Sequence, residues 1–132
     1  MKLLVKIAAA LAVVAVSFVT TLWLLDRNAG TCPPGRTVTL NRPFAKSSGF
    51  AFVKDVRGII DIPSDSSDAP NRSRLVICED GNAFGTPHSL HAEIGQRGGG
   101  RYSYWGGELV FSSSDNSDPN SNGRHYVAVE PR

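Results

Sequence analysis

Net charge is what the greater part of this chain lacks. From Gly30 to Arg132 eleven Lys and Arg stand against eleven Asp and Glu, so the formal net charge of +2 at pH 7 comes from Lys2 and Lys6 near the N-terminus. A neutral domain has no basic field to hold a phosphate backbone, which excludes nucleic acid as a partner. Helical periodicity is missing too. No stretch past residue 30 keeps a 3.6-residue apolar period for more than two turns, and that excludes a helical bundle. There is no internal repeat. Gly98-Gly99-Gly100 is not followed by the Lys-Ser/Thr of a phosphate loop, and Ser89 sits in no nucleophile elbow.

Charge is also absent from Ile7 to Leu25, and there its absence is informative. These nineteen residues contain no Gly or Pro, and at about 1.5 Å per helical residue they cross a hydrocarbon core of roughly 30 Å. Ser17, Thr20 and Thr21 can return their hydroxyls to the preceding turn, and Trp23 suits the exit interface. Lys2 and Lys6 outweigh Asp26-Arg27 on the far side, so the N-terminus is expected in the cytoplasm. The alternative is a cleaved signal peptide, for which Ala15-Val16-Ser17 lies too early and Ala29-Gly30-Thr31 before Cys32 is a poor site. The expected organisation is a cytoplasmic N-terminus and transmembrane signal anchor over 1–25, a short stalk over 26–35, and a β-rich domain over 36–132 held outside an inner membrane.

Only two cysteines are present, Cys32 and Cys78. In an oxidising compartment they are expected to pair, which ties the stalk to a central strand; two separate buried thiols are the alternative.

What the domain has in quantity is short runs of β-branched and aromatic residues: 36–40, 50–56, 58–62, 74–79, 108–113 and 125–130. Turn material such as Asn41-Arg42-Pro43, 63–71 and 115–123 separates them. Asp80-Gly81-Asn82 is the strongest hairpin signal, with Ala83 and Phe84 beginning the return. The expected fold is a small mainly-β domain, an antiparallel sandwich or jelly-roll-like sheet pair, with one short helix allowed over His88–Gln96.

The densest chemistry runs from His88 to Arg124. Gly-Arg-Tyr-Ser with a following Trp, and Ser-Asp-Asn-Ser-Asp-Pro with a following Asn-Gly-Arg, resemble a small domain of bacterial envelope proteins and of tails of membrane proteins that handle cell-surface polysaccharides. The resemblance covers residues 74–126. It implies an envelope location and a carbohydrate context, and no residue roles. Tyr102, Tyr104, Trp105 and Arg101 suit a sugar site, where flat rings pack on pyranose C–H groups; the competing reading is aromatics filling the core, since alternation sends Trp105 to the other face.

Asp118-x-Asn120-x-Asn122-Gly123 matches half of a calcium loop, but Val129 stands where the closing acid is needed, and side chains capping their own turns explain the same letters. His88, His91, Glu93 and His125 are the available zinc ligands, without a complete set. No metal and no cofactor are expected, and no acid, base and nucleophile set marks an enzyme.

The binding residues expected to share one exposed patch are Arg101, Tyr104, Asp115, Asn116, Asp118 and Arg124. The function expected from all this is a non-enzymatic, membrane-anchored binding module whose ligand is an envelope glycan. Its rival is an accessory subunit of a larger inner-membrane complex, supported by the small-residue surface of Ala8, Ala9, Ala10, Ala12 and Ala15.

Overall fold

The computed structural model describes residues 30–132. The transmembrane helix expected over 7–25 lies outside the described residues. Within them, no helix is long and apolar enough to cross a membrane.

Among the described residues eight strands form two four-stranded sheets in which every pairing of named strands is antiparallel. The first sheet orders β1 (Gly35–Thr39), β8 (Tyr126–Pro131), β4 (Val76–Glu79) and β5 (Asn82–Ala83). The second orders β2 (Ala45–Lys46), β3 (Phe52–Asp55), β7 (Glu108–Phe111) and β6 (Tyr102–Trp105). Two turns set the registers. Asp80-Gly81 joins β4 to β5 and Gly106-Gly107 joins β6 to β7, all four residues with positive φ. Positive φ at both central residues lets a two-residue turn match the strand twist, and Asp-Gly and Gly-Gly adopt it readily.

Alternation along the strands then decides what is buried. Ile77, Tyr126 and Ala128 of the first sheet meet Phe52, Tyr102, Tyr104, Leu109 and Phe111 of the second in one apolar core. Phe44, Phe84, Phe111 and Tyr126 pack there with ring centroids 5.1–6.4 Å apart. A second, smaller cluster of Ala51, Ile94 and Val110, with Val53 packed on it, covers the opposite face of the second sheet. Ile94 comes from the only helix among the described residues, α1 (His91–Arg97), which carries Glu93 in its first turn and Arg97 in its last, as the helix dipole prefers.

The helix expected at His88–Gln96 is thus present, beginning three residues later and ending one later. The strand expected over 58–62 is not. Gly58 takes a left-handed φ of 71°, the amides of Ile59 and Ile60 both bond back to Val56 O, and Ile60 drops into the core from a turn. Cys32 and Cys78 form the expected disulfide, with Cα atoms 5.9 Å apart. Cys32 N donates to Gly81 O and Ala83 N to Gly30 O, so the chain before β1 lies along the β4–β5 hairpin.

Candidate functional site

The β6 sequence Tyr-Ser-Tyr-Trp is an alternation with two destinations. Tyr102 and Tyr104 belong to the core, so Ser103 and Trp105 stand on the other face of the second sheet, the one that carries α1. β6 is also an edge strand, and two loops close its free edge. Ser89 N donates to Tyr102 O, Tyr102 N to Thr86 O, and Asp65 N to Tyr104 O. The loops thereby bring Asp65 and His88 beside Ser103 and Trp105.

Between them lies a pocket of about 290 Å³ whose lining includes Asp65, Pro70, His88, Leu90, Ser103 and Trp105. Asp65 is 2% exposed, and its carboxylate is held by Ser73 N–H at 2.7 Å and by His88 Nδ1 at 2.7 Å. His88 takes a φ of 55°, a conformation uncommon for a residue with a side chain and one that clusters at functional sites. Ser103 is 4% exposed, and its hydroxyl is the one buried side-chain polar atom without a hydrogen-bond partner among the described residues. Burying a hydroxyl unpaired costs about 1–3 kcal/mol. Trp105 is 40% exposed and Leu90 70%, giving the pocket an apolar rim. An apolar wall, an exposed indole face and a few converging polar groups are what a small polar-ringed ligand needs.

The patch expected from the sequence is only partly assembled. Its two segments do meet: Gly99 N donates to Asn116 Oδ1 at 2.7 Å and Gly100 N to Ser113 O. Arg101 Nη1 donates to Gly98 O, and Arg124 forms a two-pronged pair with Asp115 at 2.9 and 2.7 Å. Tyr104 is the correction. It is 5% exposed and faces the core, because the pleat that exposes Trp105 must bury it. Asp118 is occupied locally, with Oδ1 accepting Asn120 N–H. Asn120 clasps the backbone of Phe44 from both ends of its amide, and Asn122 donates to Tyr126 Oη, so these side chains brace the loop.

A cleft of about 450 Å³ does open beside this patch, between Asp80, Gly99, Gly100, Ser114 and Arg124. Its charges are already satisfied by one another. Glu79 Oε1 accepts from Tyr126 Oη at 2.8 Å and lies 3.2 Å from Arg124 Nη1, and Glu79 Oε2 accepts from Ser114 Oγ. The polar group left unpartnered is Ser103, in the other pocket.

Asp65 and Ser103 escaped the sequence reading. Asp65 lies in a long Ser- and Asp-rich turn with nothing to single it out. Ser103 was signalled only by its place between two tyrosines, where alternation sets it on the face of Trp105. Set beside protein-family models, curated proteins and solved structures, the chain finds no match in any of the three.

Proposed function

We propose that the protein is a membrane-tethered binding module, held on the extracytoplasmic face of the inner membrane by the 7–25 segment, and that an envelope glycan is its ligand. The observation that carries this reading is the unpartnered Ser103 hydroxyl in a pocket beside the half-exposed Trp105 indole. A pyranose has both an apolar C–H face for the indole and hydroxyls for the buried polar groups, so it answers the two features together. The envelope context comes from the wording of residues 74–126 and from the apolar N-terminal segment. The binding reading needs no chemistry on the ligand.

The test uses the full chain in detergent, titrated with soluble fragments of envelope polysaccharide while the backbone amides around the pocket are followed by NMR. Saturable shifts are expected in the wild type and none in Trp105→Ala. Saturable binding that survives Trp105→Ala would move the site elsewhere. A reporter active only outside the cytoplasm, fused after Arg132, is expected to work; activity only when it is fused at Met1 reverses the orientation.

Leu90 supports a second reading, an accessory subunit of a larger inner-membrane complex. An aliphatic side chain 70% exposed at the rim of an apolar pocket suits burial under a partner. A stoichiometric membrane protein that co-purifies with the wild type and is lost in Leu90→Asp would decide for it.

A further inference from the structure

His88 gives the pocket a direction of hydrogen bonding, and Asp65 gives His88 its own. Asp65 is buried, and each of its oxygens has a donor: Ser73 N–H on Oδ1 and the His88 ring on Oδ2. An ionised carboxylate can only accept, so the hydrogen between the two side chains resides on His88 Nδ1. In the neutral imidazole the other ring nitrogen, Nε2, is then an acceptor, and no donor among the described residues meets it. Ser103 Oγ, also unmet, can both donate and accept. Loop 63–71 contributes Asp65 and Pro70 to the lining, β6 contributes Ser103 and Trp105, and the turn into α1 contributes His88 to His91. The titratable groups of this lining are Asp65, His88 and His91, and no Lys or Arg is among them.

We propose that the pocket takes a single neutral pyranose unit, one of whose hydroxyls donates to His88 Nε2 while another exchanges a hydrogen bond with Ser103 Oγ. The sugar ring lies against Trp105. Asp65 is a positioning residue: it touches no ligand and fixes His88 in the tautomer that can accept. The proposal rests on the glycan reading above and narrows it to a ligand class. A volume of about 290 Å³ lies at the lower limit of small-molecule pockets, which are roughly 300–1,000 Å³, so one ring fills it. An acidic sugar is disfavoured because its carboxylate would face an acceptor nitrogen in a lining without Lys or Arg.

The variant that isolates the idea is Asp65→Asn. The amide oxygen can still accept from Ser73 N–H, but its NH₂ group donates to His88 Nδ1, which drives the ring hydrogen to Nε2 and turns the acceptor into a donor. Full-length chain in detergent micelles, labelled with ¹⁵N at histidine, reports the tautomer. The probes are the methyl glycosides of glucose, galactose and N-acetylglucosamine, with glucuronate and galacturonate as the anionic controls. In the wild type, hydrogen on Nδ1 is expected and at least one neutral glycoside should shift the Trp105 indole. In Asp65→Asn, hydrogen on Nε2 is expected, with affinity for that glycoside reduced about tenfold or more. If Asp65→Asn does not fold, His88→Phe retains the ring shape without the acceptor and should lose the same affinity. Hydrogen on Nε2 in the wild type, unchanged affinity in either variant, or preference for the uronates overturns the proposal. Unchanged affinity with binding still at Trp105 leaves the glycan reading standing, whereas no response to any sugar or polysaccharide fragment removes that reading itself.

Discussion

Tyr126 Oη donates to Glu79 Oε1 at 2.8 Å across the β4–β8 pairing, where the two residues are direct register partners. Both side chains point into the space between the sheets, so a carboxylate is held at the end of an otherwise apolar core. Ser114 Oγ and the Arg124 guanidinium complete its coordination, and Arg124 in turn holds Asp115. The cluster thus stitches the 114–124 loop to the central strands. Glu79→Ala leaves Tyr126 Oη and Ser114 Oγ without their acceptor and is expected to destabilise the domain by about 2–4 kcal/mol. Glu79→Gln, which retains an acceptor for Tyr126, should cost less. Urea unfolding followed by far-ultraviolet circular dichroism measures both, and equal midpoints for wild type and Glu79→Ala would contradict the assignment.

The disulfide closes a loop with a sequence separation of 46. In the chain-entropy account such a bridge contributes about 4 kcal/mol by restricting the unfolded state. Replacing both Cys32 and Cys78 by Ser is expected to lower the urea midpoint accordingly while the β4–β5 hairpin persists on its backbone bonds. A midpoint shift equivalent to less than about 1 kcal/mol would assign the stability of the Gly30–Cys32 segment to those bonds instead.

Burial pushes the Tyr102 and Tyr126 phenols up to about 12. An unfolded chain loses these protons near pH 10, so between about 10 and 12 the folded state binds more protons than the unfolded one and stability falls as pH rises. The Asp115 carboxyl is lowered to about 2, first by the Ser117 hydroxyl and amide and then by Arg124. Its contribution is present above the ordinary carboxylate value and disappears as pH drops from about 4 toward 2. Melting temperature against pH should therefore decline on both flanks. Tyr104 is the third tyrosine, so phenolate absorbance equivalent to more than one tyrosine in the native state well below pH 11 would show that Tyr102 and Tyr126 are not both sealed as described.

Gly49 and Gly95 meet where the turn between β2 and β3 lies on α1. Gly49 has a φ of 52°, and a Cβ there would run into the carbonyl of Gly95, whose oxygen accepts Phe50 N–H at 2.9 Å. Gly49→Ala is expected to destabilise by about 2–4 kcal/mol through positive φ and backbone collision together. Thermal melts of Gly49→Ala against Gly58→Ala, whose Cβ would meet nothing within 4 Å, separate the collision from the φ preference. Equal losses at the two sites would leave the collision without effect.

Asp80-Gly81 announced its hairpin, and the β-branched runs around 36–40, 74–79 and 125–130 became strands because their pattern and their turn chemistry agree. Gly106-Gly107 is an equally direct hairpin signal, yet Tyr102–Trp105, set between glycine-rich flanks, is not among the strand-like runs expected from the sequence. The 58–62 run misled for a physical reason: β-branched residues raise strand propensity, but Gly58 with positive φ reverses the chain first. The candidate pocket was less legible still. His88 and Trp105 stood out by type, whereas Asp65 reaches them only through a bridge between its loop and the edge of β6, a contact that no local pattern encodes.

Ser103 offers the sharpest separation of stability from binding. Its hydroxyl is buried without a partner, on a strand where the neighbouring inward residues are well packed and Val110 lies directly across the ladder. A side chain kept there for the fold alone would do better as alanine, because removing an unsatisfied hydroxyl recovers about 1–3 kcal/mol. Ser103→Ala is therefore expected to raise the melting temperature by several degrees, an unusual sign for a change at a buried site. The same substitution removes the group that meets the sugar and should weaken glycoside binding by about tenfold. Ser103→Thr keeps the hydroxyl but adds a methyl beside Val110, so it should lose stability and retain part of the affinity. If Ser103→Ala melts below the wild type, the hydroxyl has a partner in solution and its readiness for a ligand is refuted. If it melts higher and binds as before, the hydroxyl is spare and the pocket reads its ligand through His88 and Trp105 alone.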